Sequence, residues 1–323
     1  MRVFVTGGNG FIGSWVVREL VERGHSVVCL LRPTSNTERI DGLPFERAGG
    51  DVRDVASLRA GMNGCDGTLH LAAPSDWHVA EGPYLDDVIV NGARSVLEAA
   101  GKLPEHRIVF ISSSAAINAS DKPIVFDERT EFDVRDPLLH YAQAKHRAEV
   151  VVGEAVSRGA QAVIVNPGEV YGPGDTALGT AGHLIDFAKS IPVLVCDGGT
   201  SVVHVEDVAR GIVAALERGK AGERYILGGE NLTIRQLAEL VLELLGRRMP
   251  IVNVPNGLSR KLAAFAARHR IPVPFNPHVV PYATLYWFMD NAKARRELGL
   301  TFRDGRETVA STVDWLREKG LLS

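Results

Sequence analysis

The chain begins Val3-Phe4-Val5-Thr6-Gly7-Gly8-Asn9-Gly10-Phe11-Ile12-Gly13, an apolar run, a glycine cluster, then an amphipathic stretch reaching Gly24. A strand that runs through a glycine-rich turn into a helix is built to grip a phosphate. Gly7 and Gly10 let the backbone turn tightly and approach a pyrophosphate, and Gly13 lets the helix pack close to the sheet. The free N–H groups at the helix start then face the anion. Gly8, Gly10 and Gly13 also satisfy the G-x-G-x-x-G spacing. A glycine-rich surface turn is the bland alternative. The strand–turn–helix context favours a nicotinamide dinucleotide, with Gly7, Asn9, Gly10, Phe11, Ile12 and Gly13 as its contacts.

With 323 residues the chain can bury a large core and divide into two compact units. A net charge of −3 offers no general attraction to nucleic acid or to an anionic membrane. Cys29, Cys65 and Cys196 are too few and too scattered for a disulfide framework or a metal cluster. No apolar stretch is long enough to span a bilayer, and Met1 runs straight into the first strand, so a cytoplasmic address is expected.

Short β-branched runs at 2–6, 26–31, 67–72, 107–112 and 161–166 alternate with helical patterns near 12–23, 54–61, 83–101 and 138–158. Shorter strands are expected near 202–205 and 224–227. Strands apolar on both faces, separated by helices, predict an α/β fold with a doubly wound, mostly parallel sheet. Beyond Pro167 glycine and proline become frequent. Residues 1–167 plus 201–230 are read as the dinucleotide-binding (Rossmann) domain, and 168–200 plus 231–323 as a smaller, interleaved C-terminal cap that contacts substrate.

Arg32 stands at the end of the second strand, 19 residues beyond Gly13. An acid there would accept from the ribose hydroxyls of NAD, whereas a cation would meet the 2′-phosphate of NADP. NADP is therefore expected, with NAD as the alternative and a solvated arginine as the bland reading. Asp51 and Val52 follow a third strand, where a carboxylate can accept from the adenine amino group; Asp51 as a helix N-cap is the competing reading. Leu71, Ala72 and Ala73 close the fourth strand with small side chains that suit close approach to the nicotinamide ribose. His70 is read as structural. Pro167 and Val170 are further candidate cofactor contacts, with Glu169 between them as a carboxylate facing either substrate or solvent.

Tyr141 and Lys145 are four residues apart, one turn along one face of a helix. A phenol titrates near pH 10, and a neighbouring ammonium can stabilise the phenolate while also holding the ribose. Such a pair alone arises often by chance; after a nucleotide-binding turn and five strands it becomes a signal. A serine from Ser112-Ser113-Ser114 at the end of the fifth strand would polarise a carbonyl, Ser114 being favoured. These residues predict Ser114, Tyr141 and Lys145 as the reaction centre, with no metal.

The motifs together resemble the extended short-chain dehydrogenase/reductases over nearly the full length, and within them the dihydroflavonol-4-reductase-like branch of the NAD-dependent epimerase/dehydratase family. The resemblance rests on Thr6–Gly13, Leu31–Ser35, Gly50–Asp54, His70–Ala73, Ser112–Ser114, Tyr141–Lys145, Asn166-Pro167, 203–209 and 225–229. It implies a Ser114, Tyr141, Lys145 triad, support from Asn91, and a homodimer formed through the helices near 83–101 and 138–158. It also makes His204 and Asp207 architectural. Ile117-Asn118-Ala119 replaces the Val-Tyr-Gly run that follows the serine in many sugar-nucleotide epimerases.

Three functions compete. The first is an NADP(H)-dependent oxidoreductase that reduces a ketone or aldehyde, or oxidises the alcohol. The second is a nucleotide-sugar epimerase or dehydratase with a retained dinucleotide; Arg260, Lys261 and Arg268 are its candidate diphosphate cations. The third is a non-catalytic NADP-binding regulator. Trp77 and His78, and the late aromatics Tyr282, Tyr286, Trp287 and Phe288 at helical spacing, are candidate pocket walls or plain core.

Overall fold

The computed structural model describes residues 1–74, 83–101, 103, 105–269, 271, 273 and 276–323. Seven parallel strands form the large sheet: β1 (Arg2–Thr6), β2 (Ser26–Leu31), β3 (Glu46–Gly49), β4 (Gly67–His70), β5 (Arg107–Ile111), β6 (Gln161–Pro167) and β7 (Arg224–Leu227). Their spatial order is β7-β6-β5-β4-β1-β2-β3. The chain steps outward from β1 in both directions, so a crevice opens at the carboxyl ends of β1 and β4, where the winding reverses.

Alternation along the strands explains why both faces are covered. Val3, Val5, Val27, Cys29, Leu31, Val109, Ile111, Val163 and Val165 point to one side. There they meet helix α1 (Phe11–Glu22) and helix Val205–Arg218 through Val16, Val17, Leu20, Val208, Ile212 and Leu216. Phe4, Val28, Leu30, Ile108, Phe110, Ala162 and Ile164 point to the other. They pack on helix α2 (Val55–Met62), helix α3 (Gly92–Ala100) and helix α4 (His140–Ser157). Period-two strands buried on both faces are what a parallel sheet between two helical layers requires.

The C-terminal half adds a second sheet in the order Glu230–Thr233, Gly199–His204, Tyr286–Met289, Val125–Phe126, with Glu169–Tyr171 also paired to Gly199–His204. Two expectations change here. The strand expected near 202–205 joins this smaller sheet and not the large one. Tyr286, Trp287 and Phe288, read at helical spacing, form a strand in which Trp287 and Phe288 are buried. Four consecutive apolar residues carry no period of their own, so pairing with Gly199 and Thr200 decides their conformation.

The expected helix over 83–101 is also divided. A short turn at Pro83–Leu85 leads into a π-helical stretch, Asp86–Asn91, before α3 begins. Among the described residues, no helix is long and apolar enough to cross a membrane.

Candidate active site

The crevice at the strand ends opens into a cleft of about 1220 Å³ that runs from the β1–α1 turn to the C-terminal elements. Gly7, Asn9, Gly10, Phe11, Ile12 and Gly13 line it at one end. Gly7 adopts φ +73°, and a Cβ there would sit 2.8 Å from the Ala72 nitrogen. A Cβ on Gly13 would meet the Gly7 carbonyl oxygen at 2.0 Å. Gly10 caps α1 without any side-chain hydrogen bond, so the first-turn N–H groups stay available to an anion. This cradle fits a dinucleotide pyrophosphate in both shape and donors.

Arg32, Asp51, Val52, Leu71, Ala72, Ala73, Pro167 and Val170 line the same cleft. Arg32 sits just beyond β2, where its N–H donates to the Ser35 hydroxyl at 3.0 Å. Arg39, which the sequence reading passed over, lines the cleft beside it and donates to the carbonyls of Asn9 (3.3 Å) and Gly174 (3.0 Å) and to Thr176. Its signal was a second arginine seven residues after the first. Asp51 does not cap the following helix. That cap is Asp54, whose carboxylate accepts from Ala56 N at 3.0 Å, while the Asp51 carboxylate is gripped by Arg53 at 2.9 Å. The Arg53 hydrogen bond holds Asp51 below the usual carboxylate range. His70 is buried against Thr6 at 2.8 Å, and desolvation pushes its imidazole down to about 3, so it stays neutral.

Ser112, Ser113, Ser114, Tyr141 and Lys145 converge at the middle of the cleft. Burial raises the Tyr141 phenol to about 12, against a hydrogen bond with the Ser113 side chain that acts the other way. Ser113 is thus a side-chain partner of the phenol. Ser114 lies one residue on, buried at the start of a 3-10 turn whose cap is Ser113. Lys145 does not depress the phenol as expected. Its ammonium donates to the Ile111 carbonyl at 2.8 Å and stands 5.8 Å from the Tyr141 ring centroid. Desolvation lowers Lys145 to about 8, while the Glu149 charge opposes that shift.

Glu149 was missed. It lies one further turn along α4, buried, where it accepts from Asn166 Nδ2 at 2.6 Å and pairs with Arg224 at 3.4 Å. Asn166 also donates to the Ser113 carbonyl at 2.9 Å, so this network ties α4 to the serine turn. The signal was a repeat of the four-residue spacing, Tyr141 to Lys145 to Glu149.

Asn91 does not reach the cleft. Tyr84 and Val88 line it, and in α-helical register residue 91 would share their face. The π-helical stretch slips that register, leaving Asn91 exposed and bonded to Asp87 and Arg94 at 3.4 Å. Trp77 and His78 lie outside the described residues. His204 and Asp207 anchor helix Val205–Arg218 and its contact with Arg303, away from the cleft.

At the far end Leu237, Val254, Leu262, Val279, Val280 and Trp287 form an apolar wall. Arg260 is tied to Asp136 and Thr284, and Lys261 and Arg268 are exposed; none of the three lines the cleft. Among the described residues, the lysines and arginines lining it away from the β2–β3 side are Lys145 and Lys189. Glu169 does not turn to solvent. Its Oε1 accepts from His183 Nδ1 and from the Tyr171 hydroxyl, both at 2.9 Å.

Residues 3–228 match the NAD dependent epimerase/dehydratase family. The chain belongs to that family. It is accordingly an NAD(P)-binding Rossmann-fold member of the extended short-chain dehydrogenase/reductase superfamily, whose enzymes are oxidoreductases, epimerases and dehydratases. A putative dihydroflavonol 4-reductase of Synechocystis is 33% identical over 98% of this chain and 95% of its own length. Cinnamoyl-CoA reductase 1 of Oryza sativa is 36% identical over 99% of this chain and 91% of its own length. Among solved structures, gox2253 superposes with a TM-score of 0.85 at 32% identity, covering 99% of both chains. A nucleoside-diphosphate-sugar epimerase of Pseudomonas aeruginosa superposes at 0.78 with 26% identity, covering 100% of this chain and 99% of its own. Further solved chains of this fold are named as sugar-nucleotide dehydratases and epimerases.

Proposed function

We propose that this protein is an NADP(H)-dependent reductase of a largely apolar ketone or aldehyde. The observation that carries the reading is the far half of the cleft. Much of its wall is apolar, and Arg260, Lys261 and Arg268, the candidate diphosphate cations, do not line it, which leaves Lys189 as the cation there among the described residues. Arg32, with Ser35 and Arg39 beside it, supports a 2′-phosphate on the cofactor.

When bound, the nicotinamide supplies the hydride for the carbonyl carbon. Tyr141, a phenol kept protonated by burial, donates its proton to the oxygen as negative charge develops there. Ser114, with Ser113 adjacent, donates a hydrogen bond to that oxygen and fixes the carbonyl beside the phenol. Lys145, held by the Ile111 carbonyl, orients the ribose hydroxyls. Asn166 and Glu149 hold the serine turn against α4. The apolar wall excludes water from the reacting carbon.

The epimerase or dehydratase reading draws more heavily on the comparisons, through the family description and the solved structures of similar fold. In it the same three side chains would assist the transient oxidation of a hydroxyl by taking its proton, with a retained NAD⁺ to supply the hydride acceptor and return the hydride. One experiment separates the two: denature freshly purified protein and identify the released nucleotide by mass spectrometry. An empty protein that binds NADPH more tightly than NADH, and consumes it with ketones, supports the reductase. Near-stoichiometric NAD selects the epimerase or dehydratase and removes the role given to Arg32.

A further inference from the structure

Glu169 and His183 come from different elements, the strand Glu169–Tyr171 and the helix Ala181–Lys189, and meet in the wall of the cleft. About a fifth of each side chain is open to it (21% and 20%). Glu169 is held from behind by Tyr171 and Thr200, and His183 Nδ1 is committed to Glu169. His183 Nε2 has no partner among the described residues. The neighbouring lining is largely apolar (Phe187, Ile191, Val193, Ile234 and Leu237), with Asp175, Asp186 and Lys189 as its charged members. An ion pair placed in such a wall is costly unless it is fully bonded, and this one keeps a donor unused.

We infer that the Glu169–His183 pair is a substrate-recognition subsite, in which His183 Nε2–H donates to a neutral hydroxyl or carbonyl oxygen remote from the reacting carbonyl. The inference rests on the reductase reading and specifies its substrate class: an apolar ketone carrying a second, uncharged oxygen. Neutrality follows from the surroundings. Glu169 cancels the imidazolium charge, Asp186 and Asp175 act on His183 as well, and Lys189 is offset by Asp186, so no uncompensated positive charge is left to hold a carboxylate or phosphate. Burial alone would discharge the imidazole, but the Glu169 hydrogen bond and charge keep it protonated above the ordinary histidine range. A protonated ring carries N–H at both nitrogens, so Nε2 is a donor once Nδ1 is bonded. A hydroxyl satisfies that donor, whereas the same substrate without it leaves the donor buried and unpaired.

The test compares 1-tetralone with 7-hydroxy-1-tetralone, ketones that are neutral near pH 7 and differ by one hydroxyl not conjugated with the carbonyl. Binding to the protein saturated with NADP⁺ is measured by calorimetry, and reduction is measured with NADPH. The wild type should bind the hydroxylated ketone about tenfold or more tightly than its analogue. His183→Phe should abolish that preference while retaining affinity for 1-tetralone. Glu169→Gln, which keeps a hydrogen-bonding amide against His183, should reduce the preference and protects the test if His183→Phe fails to fold. Equal binding of the two ketones by the wild type, or variants that lose thermal stability but keep the preference, would overturn the subsite. A hydroxyl preference that His183→Phe removes, with neither ketone reduced, would leave the subsite standing and count against the reductase. Reduction of both ketones with equal kcat/KM and equal affinity would do the reverse.

Discussion

Gly13→Ala tests the phosphate cradle through its tightest contact. The added methyl would lie 2.0 Å from the Gly7 carbonyl oxygen and 2.9 Å from the Gly7 carbonyl carbon and the Gly8 Cα, all backbone atoms. Real Cβ contacts stop near 3.0 Å, so the start of α1 must withdraw by about 1 Å from the turn. Hydrogen bonds from N–H to oxygen work over about 2.7 to 3.2 Å, so that withdrawal takes the first-turn donors out of reach of a phosphate. Losing two charge-assisted bonds at about 1.5 to 3 kcal/mol each removes about 3 to 6 kcal/mol. That is a drop in NADPH affinity of roughly 10² to 10⁴ fold, read by cofactor fluorescence titration. Gly153→Ala is the control. It lies inside α4 with nothing within 4 Å of the added Cβ, so the same change should stabilise the fold by about 1 kcal/mol and leave NADPH binding unchanged. A folded Gly13→Ala protein that binds NADPH within about threefold of wild type would refute the cradle reasoning.

Tyr141→Phe should reduce ketone turnover by about 10² fold or more while NADPH affinity stays close to wild type; retained turnover would remove the phenol as proton donor. Lys145→Met should weaken NADPH binding and change how stability depends on pH above about pH 8. The sign follows from linkage. The folded lysine is pushed down to about 8, below the ordinary lysine value of 10.5, so the unfolded chain binds more protons between those values. Wild-type stability should therefore rise from about pH 8 towards 10.5, and Lys145→Met should lack that rise in pH-dependent melting. Tyr141 acts oppositely, because its folded value near 12 lies above 10, which removes stability as pH climbs from about 10 to 12. Arg32→Asp should lower NADPH affinity at least about tenfold and spare NADH; an equal loss for both would show that Arg32 does not meet the 2′-phosphate.

The main sheet was legible because its signals are local. Val3 and Val5 on one face and Phe4 on the other, repeated in β2, β5 and β6, mark strands covered on both sides. The turn at Gly7–Gly13 and the spacing from Tyr141 to Lys145 are equally local, so they could be read directly. Asn91 was misplaced because a single π-helical stretch changes helix register, and nothing in Asp86–Asn91 announces it. Ser114 and Ser113 are adjacent, and the contact of Ser113 with the phenol depends on the backbone turn into the 3-10 segment, which the sequence does not spell out.

Sequence periodicity was enough for the α/β class, the positions of the early strands along the chain and the end of the sheet at which a dinucleotide would sit, because hydrophobic alternation and glycine spacing act over a few residues. Tertiary structure decided what faces that dinucleotide. Arg260 is claimed by Asp136 from 124 positions away, and Glu169 finds His183 across a strand and a helix. Tyr286–Met289 becomes a strand only by pairing with Gly199 and Thr200. Each outcome depends on which groups meet after the chain has closed on itself, and separation along the sequence carries no record of that.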